Sequence, residues 1–382
     1  MSFRYIKVKT KGQIEGEKLL VPKLRFKKFN NEYKKYKIGD TLKVKSGKDQ
    51  KLIECTNGKY PILGTGGQIG TTNNFLYDKP SVLIGRKGTI NKPQYMTTPF
   101  WTVDTLFYTD IKEGFNTKYI FYAFQNINWK KYDESTGVPS LSCKTIEEIL
   151  YYIPNKDEQD KISTFITLLD KKIELQQRRI EALKIYKRGL IQKLYDQKYN
   201  NKIKMKNIIK QKSIRNKNND IKDIYSVNNK DGFILQSDQF KDRIVASEDT
   251  TNYKIIKKDY FAYNPARINV GSIARMKYKK IGIISPMYIC FECKNNILPE
   301  YLEYFFETDI FTYEMKKRLE GSVRMCLSYE SMLNIPIDLP DIMQQKRISK
   351  VLNEFDKRIN CEEIKYHYQK RLKDGLLQKM FI

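Results

Sequence analysis

The side chains of this sequence best suited to chemistry are hydrogen-bonding groups set beside glycine turns. In the first half they form three groups. Gln68, Thr71, Thr72, Asn73 and Asn74 lie on the glycine-rich stretch LGTGGQIGTTNN; Arg86, Lys87 and Thr89 lie in VLIGRKGTI; Ser140 and Ser142 lie in GVPSLS. The second half offers Asn264, Arg267, Asn269, Ser272 and Arg275 in NPARINVGSIAR, then Ser322 and Arg324 in GSVRMCLS. These residue types suit base edges in a nucleic-acid groove, Arg or Lys meeting guanine and Asn or Gln meeting adenine. Lys, Ser and Thr suit phosphates, which set register without reading sequence. Arg86, Arg267 and Arg324 stand highest, because each adjoins a glycine-containing turn where backbone can approach a polyanion closely.

Enzyme chemistry finds less support. LGTGGQIG matches neither G-x-G-x-x-G nor G-x-x-x-x-G-K-[ST], and no helix clearly follows it. Asn264-Pro265-Ala266-Arg267 lacks the second proline and the aromatic residue of an amino-methyltransferase motif. Glu292-Cys293-Lys294 fits the end of a nuclease metal motif without its upstream carboxylate. One histidine, His367, rules out histidine triads and histidine-rich metal sites; its place off the apolar seam of a long helix suits a solvated residue. Six cysteines are scattered. Only Cys290 and Cys293 are near each other, in the strand-like YICFECK, where residues three apart face opposite sides. No metal site is expected.

Composition sets the class of partner. Among 382 residues, 71 Lys and Arg oppose 44 Asp and Glu, a formal net charge of +27. An excess of that size points to a polyanion, most often nucleic acid. No apolar run of membrane-spanning length occurs, and MSFRYIKVKTKGQ lacks the apolar core of a signal peptide. The expectation is a soluble, cytoplasmic protein with no membrane partner.

Two long helices must position the polar groups, because one pattern occurs twice. PNKDEQDKISTFITLLDKKIELQQRRIEALKIYKRGLIQKLY begins at Pro154, and PDIMQQKRISKVLNEFDKRINCEEIKYHYQKRLKDGLLQKMF begins at Pro340, without a gap at an offset of 186. Gln159/Gln345, Ser163/Ser349, Asp170/Asp356 and Gly189/Gly375 are among the matches. Alternating steps of four and three residues trace a seam through Ile162, Ile166, Leu169, Ile173, Ile180 and Leu183. The second copy gives Ile348, Leu352, Phe355 and Ile359. Polar seam positions (Gln176, Lys187, Glu362, Gln369) suit a surface that also meets a partner's helices.

The rest of the chain falls into two segments of one plan, short strand-like runs broken by glycine and asparagine, then a helix, then a loop. The expected fold is α+β: two globular α/β domains separated by two long antiparallel helices, as a pseudo-twofold repeat. The first domain spans 1–153, with 1–20 as an N-terminal arm, and a helix spans 154–197. The second domain spans 198–339, with the basic, Asn-rich 198–219 as a linker, and the second helix spans 340–382. The helical run Pro299–Lys317 takes the place of that at 116–129. GSVRMCLSYESMLNIPIDLP takes the place of GVPSLSCKTIEEILYYIP with two extra residues. Tyr95, Trp101, Tyr108 and Trp129 read as core.

With these motifs the chain resembles, over nearly its whole length, the DNA-specificity subunit of type I restriction–modification systems. The carriers are LGTGGQIG, VLIGRKGTI, GVPSLS, the paired helix motifs IPNKDEQDKIS…LLDKKIELQ and LPDIMQQKRIS…FDKRI, and the closing GLLQKMF. The resemblance implies two target-recognition domains, each reading half of a bipartite site in double-stranded DNA. It implies an antiparallel helical spacer that docks two methyltransferase subunits, with restriction subunits reached through the complex. The chain itself would be non-catalytic and bind no cofactor; S-adenosylmethionine would belong to the methyltransferase. Two rival readings are a basic, sequence-independent nucleic-acid scaffold and a specificity subunit serving a methylase outside type I.

Overall fold

The computed structural model describes residues 3–5, 21–229, 231–239, 249–321 and 325–382. The chain divides into two compact units, one of residues 1–177 with 364–382 and one of residues 178–363. Both long helices, Lys156–Tyr195 and Ile342–Met380, are cut by that division. Each unit is therefore a β domain with half of each helix.

In the first unit a four-stranded sheet runs in the order Leu42–Ser46, Leu106–Ile111, Ser81–Gly85, Gln94–Met96. The strand Ser81–Gly85 is buried along its whole length because both faces are covered. Val82 and Ile84 point into the main core, beneath the helix Thr117–Asn126, while Leu83 joins Leu63, Phe100, Leu106 and Tyr108 in a smaller core. Alternation along a strand sorts these residues to opposite faces. A second sheet, ordered Gly67–Thr72, Tyr60–Gly64, Trp101–Thr102, lies on that smaller-core side. Asn116 caps the helix by accepting from the Tyr119 N–H at 2.8 Å, which contributes about 1 kcal/mol. Trp129 and Tyr108 are core, as their types suggest.

The second unit keeps the frame. Its sheet runs Ile209–Lys212, Ile289–Cys293, Phe261–Tyr263, Ile273–Arg275. A larger distal sheet, ordered Gly232–Leu235, Ile224–Asn228, Gly282–Ile284, Lys254–Ile256, replaces the three-stranded one. Two expectations are corrected here. The stretch 198–219 is not simply a linker: Lys202–Lys204 pairs with Pro336–Asp338, and Ile209–Lys212 pairs with Ile289–Cys293. Three of its apolar residues, Met205, Ile208 and Ile209, are buried, and they outweigh the polar composition around them. The run Pro299–Lys317 is two helices, Pro299–Phe305 and Asp309–Lys316, because the Thr308 hydroxyl caps a new start at the Phe311 N–H.

Within each unit the helix halves run antiparallel. In the first, Asp170 meets Lys373, while Ile162 and Ile166 share a core with Leu377 and Met380. In the second, Lys187 meets Asp356, while Ile191 and Tyr195 share a core with Ile348 and Leu352. All ten apolar seam residues are buried or half-buried, and His367 is exposed. The polar seam residue Glu362 is buried and pairs with Arg179 at 3.4 Å.

Of the N-terminal arm, residues 6–20 lie outside the described residues, while Phe3–Tyr5 pairs with Leu24–Phe26. Between those strands and the first long helix sits a buried ion pair. Arg25 donates to both carboxylate oxygens of Glu158, at 2.7 and 2.6 Å, and both side chains are almost wholly inaccessible. No described helix is long and apolar enough to cross a membrane.

Candidate nucleic-acid interface

The strand Ser81–Gly85 ends in a tight turn that the sequence dictates. A Cβ on Gly85 would stand 2.1 Å from the Thr89 carbonyl oxygen, and Gly88 adopts φ +88°, a left-handed conformation that favours glycine. Arg86 and Lys87 are thereby turned out into solvent. The loop 134–140 is stitched to this turn: Leu141 N–H donates to the Arg86 carbonyl at 2.9 Å, and Gly88 N–H donates to the Pro139 carbonyl at 2.8 Å. Ser142 caps the helix Cys143–Glu148. Arg86, Lys87, Ser140 and Ser142 thus line one cleft of about 510 Å³, together with Asp104, Thr105 and Glu134.

The loop is held at its base by carboxylates. Asp133 accepts from the Ser140 N–H at 2.9 Å, the Ser135 N–H at 3.0 Å and the Ser135 hydroxyl at 2.8 Å. The Ser140 N–H, then those Ser135 bonds, hold the Asp133 carboxyl below its usual range. Glu134 accepts from the hydroxyls of Ser142 and Thr145. The Ser142 hydroxyl is therefore already engaged inside the loop, whereas the Arg86 guanidinium makes one long hydrogen bond, to the Asp104 carbonyl at 3.3 Å, and lies 5.9 Å from the Phe107 ring centre.

The second unit builds the same corner from other residues. Leu327 N–H donates to the Pro265 carbonyl at 3.1 Å, where the first unit has Leu141 and Arg86. Glu320 N–H donates to the Cys326 carbonyl at 2.9 Å, as Glu134 N–H does to the Ser140 carbonyl at 3.0 Å. The Glu320 carboxylate accepts from the Ser331 hydroxyl, as that of Glu134 does from Thr145. The loop positions 134, 140, 141 and 145 match 320, 326, 327 and 331 at the offset of 186, so the two loops have equal length; the expected two extra residues came from aligning Gly137 with Gly321. At this corner Arg267 and Asn269 are exposed, and Gly271 closes the turn at φ +89°.

Other candidates lie apart from these corners or inside the fold. Gln68 and Thr71 line a separate depression with Glu54, Cys55 and Asn57. Gln68 and Asn74 are exposed; Thr71 donates to the Cys55 carbonyl, Asn73 accepts from the Lys59 N–H, and Thr72 is buried. Thr89 is half-buried in the turn. Asn264 holds its own turn by accepting from the Ala266 N–H at 3.1 Å. Ser272 is buried and donates to the Val227 carbonyl.

Arg275 departs furthest from expectation. It is 9% exposed and held by Asp259, Glu300 and Glu303 at 2.6–2.9 Å, so its guanidinium is spent inside the fold. Ser322 and Arg324 lie outside the described residues. The helix-seam residues, from Ile162 to Leu183 and from Ile348 to Ile359, are used within the chain. The apolar side chains left exposed on the helices are others, among them Leu168, Leu175, Ile185, Tyr186, Ile364 and Tyr368. Among the described residues no cluster of three His, Cys, Asp or Glu side chains could hold a metal ion. Burial pushes the Cys290 and Cys293 thiols up to about 12, a setting that keeps them protonated and inert.

Sequence reading passed over the residues that join each β domain to the helices. Gln159 and Gln345 each spend both ends of a buried amide, and Tyr122 and Tyr304 each reach a helix carboxylate. The signal was present, since the matched glutamines and aspartates stand at the repeat's own offset.

A family model described as the type I restriction modification DNA specificity domain matches residues 30–184 and again 201–366. The MjaVIII type I restriction enzyme specificity subunit of Methanocaldococcus jannaschii is 28% identical over 102 residues, 27% of this chain and 24% of that protein. The chain aligns with less than half the length of each such curated relative. In fold it is similar to the crystal structure of a type I restriction–modification S subunit from M. genitalium. That likeness has a TM-score of 0.63 at 16% identity and covers 95% of this chain and 99% of that one. A structure described under complex assembly and conformational transition of the type I R-M system has a TM-score of 0.55 at 10% identity. It covers 91% of this chain and 97% of that one.

Proposed function

The chain belongs to the family of type I restriction modification DNA specificity domains; from that premise we propose that it is the DNA-reading specificity subunit of a type I restriction–modification complex. Each β domain reads one half of a bipartite site in double-stranded DNA. The observation that carries this reading is the repeated corner. A strand turn and a stapled loop recur in both units with three matching hydrogen bonds, while the exposed side chains change from Arg86 and Lys87 to Arg267 and Asn269. A shared scaffold with different hydrogen-bonding tips is what two readers of two sequences require.

At each corner the chemistry is hydrogen bonding. The Arg86 fork can donate two parallel bonds to guanine O6 and N7, Asn269 can bracket an adenine, and Lys87 can neutralise a phosphate. The net charge of +27 supplies the sequence-independent attraction. No step on this chain makes or breaks a covalent bond. Methyltransferase subunits, which carry S-adenosylmethionine, meet the helices at side chains off the intrachain seam, such as Leu168, Leu175, Ile364 and Tyr368. Restriction subunits join through that assembly.

The test is to map modified bases in the host genome with and without this gene, and with Arg86→Ala or Arg267→Ala in its place. Deletion is expected to abolish methylation at one split motif. Each arginine variant should relax one half of that motif only, at a cost of about 1–3 kcal/mol in binding. An unchanged methylome on deletion, with steeply salt-dependent but unspecific DNA binding by the purified chain, would replace this reading with a non-specific scaffold.

A further inference from the structure

Where each β domain meets the helix pair, the two units use the same three side chains in one geometry. In the first unit the Tyr122 hydroxyl donates to Asp170 at 2.7 Å and lies 3.1 Å from the Thr167 hydroxyl. Lys373 reaches the same carboxylate at 2.5 Å and stands 5.7 Å from the Tyr122 ring centre. In the second unit Tyr304 donates to Asp356 at 2.6 Å and lies 2.7 Å from Asn353 Oδ1. Lys187 reaches Asp356 at 2.7 Å and stands 4.9 Å from the Tyr304 ring centre. The tyrosine comes from the β domain, the aspartate from one long helix and the lysine from the other.

A second fastening repeats nearby. Gln159 accepts from the Asn116 N–H at 2.9 Å and donates to the Pro154 carbonyl at 3.0 Å. Gln345 accepts from the Leu298 N–H at 2.9 Å and donates to the Pro340 carbonyl at 2.9 Å. Both amides are buried, and each ties the start of a domain helix to the start of a long helix.

The kept contacts are directional and the packing around them is not kept. Beside Tyr122 stand Lys118 and Phe121, with Tyr95 against Lys118; on the helix of Tyr304 the matching positions are Glu300 and Glu303, which both bond Arg275. Bulk stabilisation of the joint can therefore come from rings or from charges, whereas the hydroxyl-to-carboxylate bond recurs. A hydroxyl at the end of a rigid ring fixes an angle. Ion pairs with partly exposed partners contribute little free energy, so their recurrence points to geometry more than to stability.

We propose that Tyr122 and Tyr304 are positioning residues for half-site reading. Each, through its aspartate and lysine, sets the angle at which its β domain leaves the helix pair. That angle aims the corner bearing Arg86 or Arg267. This inference rests on the bipartite reading above and adds a consequence: loosening either tyrosine should change the tolerated spacing between half-sites and leave their letters unchanged.

The experiment replaces the gene in the host with full-length Tyr122→Phe, Tyr304→Phe, Asp356→Ala or Asp356→Asn and maps methylated bases, with protein abundance measured alongside. For the two phenylalanine variants and Asp356→Ala, both half-site sequences should persist. Methylation at sites with a spacer one base pair longer or shorter should rise from background to about a tenth of the cognate level, the scale set by losing one charge-assisted hydrogen bond. Asp356→Asn keeps an acceptor for the tyrosine and should keep the spacer strict. Strict spacing in both phenylalanine variants, whether methylation is unchanged or uniformly lower, would overturn the proposal. A wild-type chain that supports no split motif would instead overturn the functional reading beneath it, so the two failures are distinct.

Discussion

Around equivalent joints, the first unit half-buries a lysine among rings and the second buries an arginine among carboxylates. Lys118 lies 4.0 Å from the Tyr95 ring centre and within 6 Å of those of Phe121 and Tyr122, and burial lowers its affinity for a proton. On the matching helix face of the second unit stand Glu300 and Glu303, which with Asp259 enclose Arg275. One cation over aromatic faces and one cation among three anions are both ways of compensating a desolvated charge. The difference teaches that this frame is specified by backbone bonds and a few directional side-chain bonds, and that its filling can be exchanged. The first unit carries one further commitment: Glu158 is buried against Arg25, whereas the same place in the second long helix is Gln344, which needs no buried partner.

That last contrast gives the largest expected effect. Arg25→Met should destabilise the first unit by about 3–5 kcal/mol, because it leaves Glu158 buried and unpaired. Unfolding in urea followed by Trp129 fluorescence should report it, since Trp129 is fully buried in the first unit's core. Gln344→Met, at the place that matches Glu158, should stay within about 0.5 kcal/mol by thermal unfolding of the full chain. A loss below about 1 kcal/mol for Arg25→Met would show that the pair behaves as a surface bridge and would remove the asymmetry.

The two cation sites give the next effect. Arg275→Met strands Asp259 and Glu300, which are partly exposed, leaves Glu303 with Lys277 alone, and should cost about 2–3 kcal/mol. Lys118→Met removes a cation from ring faces and leaves apolar packing, and should cost no more than about 1 kcal/mol. Thermal unfolding of the two full-length variants compares them directly. Equal losses would mean that the rings and the carboxylates are equivalent fillings energetically as well as spatially.

Much of this frame was legible in the sequence, for identifiable reasons. The helix repeat, its seam and the twofold plan follow from apolar spacing and a constant offset, which survive divergence of everything else. The turns at Arg86 and Arg267 were legible because glycine marks where backbone must fold tightly. Arg275 was misread because arginine beside such a turn looks the same whether it faces DNA or three carboxylates, and those acids stand 16 to 28 residues away in sequence. The strands at 202–212 were hidden by lysine and asparagine, since a strand with one buried face needs only a few apolar residues. The tyrosine joints were missed because their partners lie on three different segments, and only a folded chain brings them together.

The smallest expected effect separates the two loops at the candidate interface. The first loop is closed by Asp133, whose place in the second unit is taken by Leu319; there the loop is closed by paired backbone bonds between Glu320 and Cys326, at 2.9 and 2.8 Å. Hydrogen bonds from the Ser140 N–H and from Ser135 favour the charged form of Asp133, so its carboxyl titrates below the ordinary value of 3.8 in the folded chain. A depressed carboxyl contributes stability above its unfolded value and loses it as pH falls through the folded one. Acidification below about 4 should therefore release the first loop by this route and leave the second closed. Amide exchange, corrected for its intrinsic pH dependence, should show protection falling at Ser140 and holding at Cys326. Asp133→Asn should remove the pH dependence at Ser140, since a neutral amide has no charge to lose. Parallel loss at both loops would locate the transition in the whole fold, and the contrast between the two corners would then lie in their exposed side chains alone.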